Sequence, residues 1–229
     1  MKISFVNHKG IEASSPIPAR THLPEWYKQA QSYIDGEKYH AFVNGSYITT
    51  ATIKKCMPVF DVTTSGYLIC AWDDIRISIE NQIVTYDIDS PILGHHNTKQ
   101  AQGHPALHPA DDIVAKFINP WGIHTPEGYS CLFMPPAHRE NIISILPGIV
   151  DTDTYHLAVH FPFVMTKRDF NGVIPKGTPL VQVIPYKRDE WEMECLNANE
   201  EAFHTQLNTL HETPFNGYKD QFWSVKKYT

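Results

Sequence analysis

No stretch of this chain is apolar for long enough to cross a bilayer as a helix. Its opening Met-Lys-Ile-Ser-Phe-Val is too short to work as a signal peptide. These absences predict a cytoplasmic protein with no membrane partner. Cysteine is sparse: Cys56, Cys70, Cys131 and Cys195 are scattered, with no Cys-x-x-Cys pair. That spacing predicts buried thiols in a reducing compartment rather than a disulfide framework. Positive charge is also short, 19 Lys and Arg against 25 Asp and Glu, and the net charge of −6 argues against a broad nucleic-acid surface. Several catalytic signatures are missing as well. The chain has no Gly-x-Ser-x-Gly elbow and no phosphate-binding glycine loop of Walker or dinucleotide type. It has no internal repeat and no low-complexity segment.

What is present points to β structure. Among 229 residues, 17 prolines outnumber 12 glycines and aromatics reach 12%, a balance that favours strands and ordered loops. The length fits a single domain, 1–229. It divides into an N-terminal strand and helix arm (1–55), a β core (56–186), and a C-terminal helix with an aromatic tail (187–229). In the arm, Ile3 and Phe5 suit a strand. Leu23, Trp26, Tyr27, Ala30 and Ile34 recur with helical spacing, and Pro24 suits the first turn. Short strands are expected at Val59–Val62, Tyr67–Ile69, 75–79 and 83–88, with Asn81-Gln82 as the turn of a hairpin. More are expected at Ile113–Ile118, Tyr129–Met134, Ile142–Leu146, Tyr155–Phe161 and Leu180–Ile184. Short strands separated by turn signals predict a jelly roll or related sandwich. Asn197 with Glu200 reads as a capping box opening a helix, with Trp191 and Met193 in its lead-in. The tail with Phe215, Tyr218, Phe222, Trp223 and Tyr228 is expected to fold back onto the body or to meet another subunit.

Histidine is the first source of candidate chemistry. His95, His96, His104 and His108 fall in an expected long loop, 89–112, whose spacing matches no metal motif. On the expected Tyr155–Phe161 strand, His156, Ala158 and His160 share one face, so His156 and His160 are candidate metal ligands.

Two resemblances add to this reading. Leu-Pro-Glu-Trp-Tyr-Lys, Trp-Gly-Ile-His-Thr-Pro-Glu-Gly-Tyr-Ser and Val-Gln-Val-Ile-Pro-Tyr-Lys-Arg-Asp-Glu-Trp resemble an uncharacterised family of tailed phages and bacteria, across most of the chain. A phage origin would place the protein in the host cytoplasm. The β core is similar to the trimeric dUTPase and dCTP deaminase superfamily, which has a β-clip or jelly-roll-like fold. The ordered segments are Ser65-Gly66-Tyr67, the corner Pro135-Pro136, Gly148-Ile149-Val150-Asp151, and Gly177 with Gln182. The chain departs from that pattern at Leu68, where the family has an acidic residue. It departs again at Ala137-His138-Arg139, where the family carries Ser and Gly.

The resemblance implies a nucleotide-directed protein, either a binder or a degenerate pyrophosphatase. It also implies a homo-oligomer, with the trimer of that superfamily as the expected state; the residues leave the cofactor unknown, and Mg²⁺ is the candidate the resemblance offers. Nucleoside triphosphate hydrolysis needs positive charge on the phosphates and a carboxylate to take a proton from water. Asp151 and Asp153 are the candidate carboxylates. Arg139, with Lys167 and Arg168, is a candidate for the phosphates, and Tyr155 for stacking on a base. His138, Gln182 and Tyr67 complete the substrate-binding set by position. Two other readings stay open. One is a non-enzymatic phage accessory or structural protein that assembles through its tail and loops. The other is a metal-binding jelly roll that uses its histidines.

Overall fold

The computed structural model describes residues 1–8, 10–44, 46–80, 83–87, 90–101, 103–108, 111 and 113–229. In chain order, β1 (Ser4–Asn7) and the two-residue β2 (Ile17–Pro18) lead to α1 (Glu25–Gln29) and the hairpin β3 (His40–Val43) and β4 (Ser46–Thr49). Helix α2 (Met57–Thr64) is followed by β5 (Tyr67–Cys70), β6 (Ile75–Glu80), β7 (Ile83–Tyr86) and β8 (Leu93–Asn97). Then come β9 (Ile113–Phe117), β10 (Trp121–His124), β11 (Tyr129–Met134), β12 (Ile143–Ile145) and β13 (Gly148–Val150). The last strands are β14 (Phe161–Met165), β15 (Gly172–Ile174) and β16 (Pro179–Lys187), before α3 (Glu200–Glu212) and α4 (Gly217–Gln221).

The chain divides into two compact units, each built from two stretches of sequence. Unit 1 comprises Met1–Ala19 and Gly66–Asp189; unit 2 comprises Arg20–Ser65 and Glu190–Thr229.

Unit 1 is mainly β, and its described strand pairs are antiparallel. Its largest sheet runs β13-β11-β16-β5-β2, beside a sheet β12-β14-β9-β8, a sheet β15-β6-β7 and the pair β1-β10. Among the described residues no closed barrel or jelly-roll order appears. Alternation selects the inward side chains at Ile75 and Ile77 of β6, whereas β5 and β16 bury consecutive residues. Phe117, Phe133, Phe163, Ile69, Ile75, Ile77, Ile145, Val181 and Val183 are fully buried. Phe161 lies 5.2 Å from Phe133 and 6.3 Å from Phe117 between ring centroids, joining strands of two sheets through one aromatic cluster. Gly66 enters β5 with φ +70°, and a Cβ there would lie 1.9 Å from the Val183 carbonyl oxygen of β16. Only glycine fits that approach.

Among the described residues, unit 2 holds the β3-β4 hairpin and the helices α1 to α4. Here the tail folds back: Trp223 Nε1 donates to both carboxylate oxygens of Asp61 in α2, at 3.0 and 2.9 Å, and Lys226 adds an ion pair at 2.7 Å.

Several expectations are corrected. Val59–Val62 lies in helix α2, not in a strand. Pro58 sits in its first turn, and Thr63 and Thr64 turn their hydroxyls onto the carbonyls of Val59 and Phe60. The expected helix from Leu23 to Ile34 stops at Gln29, where Lys54 Nζ takes the carbonyls of Lys28 and Ala30 and the chain turns extended. Residues 89–112 are not one loop, because β8 carries His95 and His96 in register with Ala115 and Val114 of β9. Asn81-Gln82 and Asp112 lie outside the described residues, although β6 and β7 pair as the hairpin reading requires. The four thiols are free, but only Cys131 is buried, and Cys195 is exposed.

Candidate functional site

The four segments that carry the dUTPase resemblance fall on, or directly beside, adjacent strands of one sheet. Gly66-Tyr67 opens β5, Pro135-Pro136 follows β11, Gly148–Val150 is β13, and Gln182 lies in β16. The acidic corner begins where β13 ends. Asp151 accepts the backbone N–H groups of Thr154 and Tyr155 on its main-chain oxygen, at 3.2 and 2.8 Å, which closes a turn over 151–155. Thr152 points inward, 1% exposed, with its hydroxyl 2.7 Å from that of Thr125 and donating to Cys131 Sγ at 3.3 Å. The turn is therefore anchored from below as well as along its backbone.

Arg188, just past β16, organises the charges. Its Nη1 donates to Ser130 Oγ at 2.9 Å, to Asp151 Oδ1 at 3.2 Å and to Asp153 Oδ1 at 2.9 Å. Its Nη2 pairs with Asp153 Oδ2, which also receives the Gly128 N–H at 2.8 Å. Ser130 Oγ donates to Asp151 Oδ1 at 2.6 Å. The Asp153 side chain is only 3% exposed, whereas that of Asp151 is 60% exposed. The Arg188 hydrogen bond, helped by the Gly128 N–H, holds the Asp153 carboxyl down to about 2, against the desolvation that opposes ionisation. Arg188 itself is pushed up by its bond to Asp153.

This arrangement bears directly on Mg²⁺. A hard cation needs carboxylate oxygens open to it and to its waters. Here the positive charge facing both carboxylates is the Arg188 guanidinium, and Asp153 is enclosed. The pair does not fit a Mg²⁺ site, and no step through the metal follows from it. Among the described residues, no group of three or more His, Cys, Asp or Glu side chains is placed to hold a metal ion.

The histidines are arranged differently from the strand reading. Residues 151–160 form turns and a single bridge, Gly122 to Ala158, and regular pairing starts only at Phe161. His156 and His160 thus share no strand face, because the Asp151 turn consumes the residues that would have alternated. His156 Nε2 donates to the Asp153 carbonyl at 3.0 Å, and its ring lies 4.3 Å from that of His124. His8 Nε2 donates to the His156 carbonyl at 2.9 Å, passing over Gly122, where a Cβ would come within 2.1 Å of it.

The remaining candidates are dispersed. Tyr67 is buried, its ring 5.2 Å from Phe5 and edge-on to it. Gln182 is 1% exposed and accepts the Ala137 N–H at 2.8 Å, fixing the turn in which His138 takes φ +53°. Arg139 lines a separate cleft of about 270 Å³ with Glu140 and Lys167. Burial lowers its pKa, and the ionisable neighbour that acts on it is Cys70. Arg168 is bound bidentately to Asp111, at 3.1 and 2.8 Å. Tyr155 is exposed beside the corner. The structure therefore gathers Asp151, Asp153, Tyr155 and His156 in and beside one turn, places Gln182 and His138 at the Ala137 turn, and places Arg139 in a separate cleft.

Sequence reasoning missed Arg188 and Ser130. Both stood inside quoted motifs, Tyr-Lys-Arg-Asp and Gly-Tyr-Ser, but nothing in their local spacing assigns a partner 37 or 21 residues from Asp151. No family model matches this chain, and no curated protein matches it.

A second feature emerges past Arg188. Glu190, Glu192 and Glu194 alternate with Trp191, Met193 and Cys195, the two-residue period of a strand with an acidic face and an apolar face. Trp191, Met193 and Leu196 are 90, 88 and 78% exposed. Among the described residues, the backbone of 190–198 makes no hydrogen bond to other main chain.

Proposed function

We propose that this chain is a non-enzymatic accessory or structural protein, of the phage-related kind its motifs resemble, that assembles with copies of itself. The observation that carries the reading is the uncovered segment Glu190–Leu196. Large apolar side chains exposed in a row mark interaction surfaces, and an unpaired extended backbone is suited to adding a strand to a sheet edge. The partner contact is this segment rather than the aromatic tail, whose Trp223 is occupied with Asp61.

The core of the reading is a β-clip of the dUTPase type. Its support is that all four resembling segments lie on or directly next to neighbouring strands of the β13-β11-β16-β5 run. Within it, Asp151 and Asp153 anchor the corner to Arg188 instead of activating water. A pyrophosphatase reading would require those carboxylates for metal or proton transfer, and their commitment to Arg188 and Gly128 favours the anchoring role.

Light scattering across a concentration series tests the assembly. Wild type is expected at a multiple of the monomer mass, and the double variant Trp191→Glu, Met193→Glu at the monomer mass with unchanged circular dichroism. A wild-type monomer at every concentration, or a variant that assembles normally, removes the reading. Mg²⁺-dependent turnover of a nucleoside triphosphate that Asp151→Asn abolishes would replace it with catalysis.

A further inference from the structure

Unit 2 contains a cleft that is separate from the acidic corner and is not used by the assembly segment. Its volume is about 420 Å³, within the range of small-molecule sites of roughly 300–1,000 Å³. Three rings and four cations line it: Tyr27, Phe60 and Trp223, with Arg20, Lys54, Lys55 and Lys219. No carboxylate is among its lining residues, in a chain that carries more acidic than basic side chains. Asp61, the nearby acid, is occupied by Trp223 Nε1 and Lys226 and so holds the indole in place.

The wall is built rather than incidental. Tyr27 is 6% exposed and donates its hydroxyl proton to the Lys54 carbonyl at 3.1 Å, so its ring is fixed. Phe60 lies 6.1 Å from Tyr27 and 6.5 Å from Trp223 between centroids, which makes a continuous aromatic lining. Lys54 donates two of its three ammonium protons, to Lys28 and Ala30 carbonyls at 3.1 and 2.7 Å. The ammonium is therefore positioned, with one proton left for a ligand. Lys55 sits 5.8 Å from the Tyr33 ring centroid, and Arg20 and Lys219 are exposed at the rim.

We propose that this cleft binds a mononucleotide, with the base against the aromatic lining and the phosphates against Lys54, Lys55, Lys219 and Arg20. Aromatic faces take any base by stacking, and cations with no acid among the lining residues take phosphate. Either half alone fills only part of the lining, so the chemistry points to a ligand that joins a flat ring to phosphate. The inference stands apart from the assembly reading, since its residues and its readout are different.

Titration of the full chain with ATP, GTP, CTP and UTP, followed by tryptophan fluorescence and calorimetry, tests it. At least one nucleotide is expected to bind and to perturb the emission, with the spectral change lost in Trp223→Phe. Its nucleoside and inorganic tripolyphosphate should each bind at least tenfold more weakly. The rim variant Arg20→Glu, Lys219→Glu avoids the structural bonds of Lys54 and should weaken the nucleotide tenfold or more, with circular dichroism unchanged. Absence of binding by all four nucleotides overturns the proposal. So does a rim variant of wild-type affinity, or a short single-stranded oligonucleotide that binds more tightly than its mononucleotide.

Discussion

Asp153 and Arg188 carry the largest electrostatic commitment at the acidic corner. The carboxyl of Asp153 titrates at about 2 in the folded chain, below the ordinary value near 4 expected when unfolded. A depressed folded value stabilises the fold fully above about pH 4 and loses that contribution as pH falls towards 2. Wild type should therefore melt higher than Asp153→Asn at neutral pH, and the gap should narrow as pH drops through that window. Thermal melts at about pH 6 and about pH 2.5 measure it. A gap of equal size at both values would show that some other group gives the corner its acid sensitivity. Arg188→Lys should fail to rescue, because a point charge cannot reach Ser130, Asp151 and Asp153 together in the way a planar fork does.

At the scale of elements, the short apolar runs were readable as strands at Tyr67–Cys70, Ile113–Phe117, Tyr129–Met134 and Pro179–Lys187, although β5 and β16 bury consecutive residues (67–69 and 180–183) instead of alternating. The failures have local causes. Tyr155–Phe161 alternates well in sequence, but the Asp151 turn takes its first residues, so the strand begins at Phe161. Val59–Val62 is β-branched at both ends, yet Pro58 and the two threonine back-bonds settle it as helix. In α3 the cap is Asn199, whose side chain accepts the Ala202 N–H at 3.1 Å, and the Asn197 box does not form. Asn199→Ala should cost about 0.5–2 kcal/mol, while Asn197→Ala should stay within about 0.5 kcal/mol. Denaturant midpoints for the two variants decide between the caps. The candidate site was half legible: its acids announce themselves as a turn, but their cation comes from beyond β16, a partnership that only the folded sheet creates.

For the whole molecule, the consequential fact is that unit 2 is discontinuous. Its first stretch, Arg20–Ser65, is continuous with unit 1 at both ends, while its second, Glu190–Thr229, joins only through Asp189. The second stretch is held to the first by side chains: Trp223 and Lys226 on Asp61, and Phe215 edge-on to Tyr33 and His40 with Lys38 at 4.6 Å from its ring centroid. A cut in the exposed 190–196 segment therefore leaves a C-terminal fragment attached only non-covalently, through contacts such as these and Phe42 with His211. Unstructured exposed chain is where proteases act first, and a Glu-specific enzyme finds Glu190, Glu192 and Glu194 there. In the assembled wild type the segment should be protected. In the monomeric Trp191→Glu, Met193→Glu variant it should be nicked before the glutamates of α3. The nicked pieces should then co-elute in native buffer and separate in denaturant, and adding Asp61→Ala should release the fragment sooner. A fragment that leaves at once from protein with Asp61 and Phe215 intact would mean that these contacts do not hold unit 2 together.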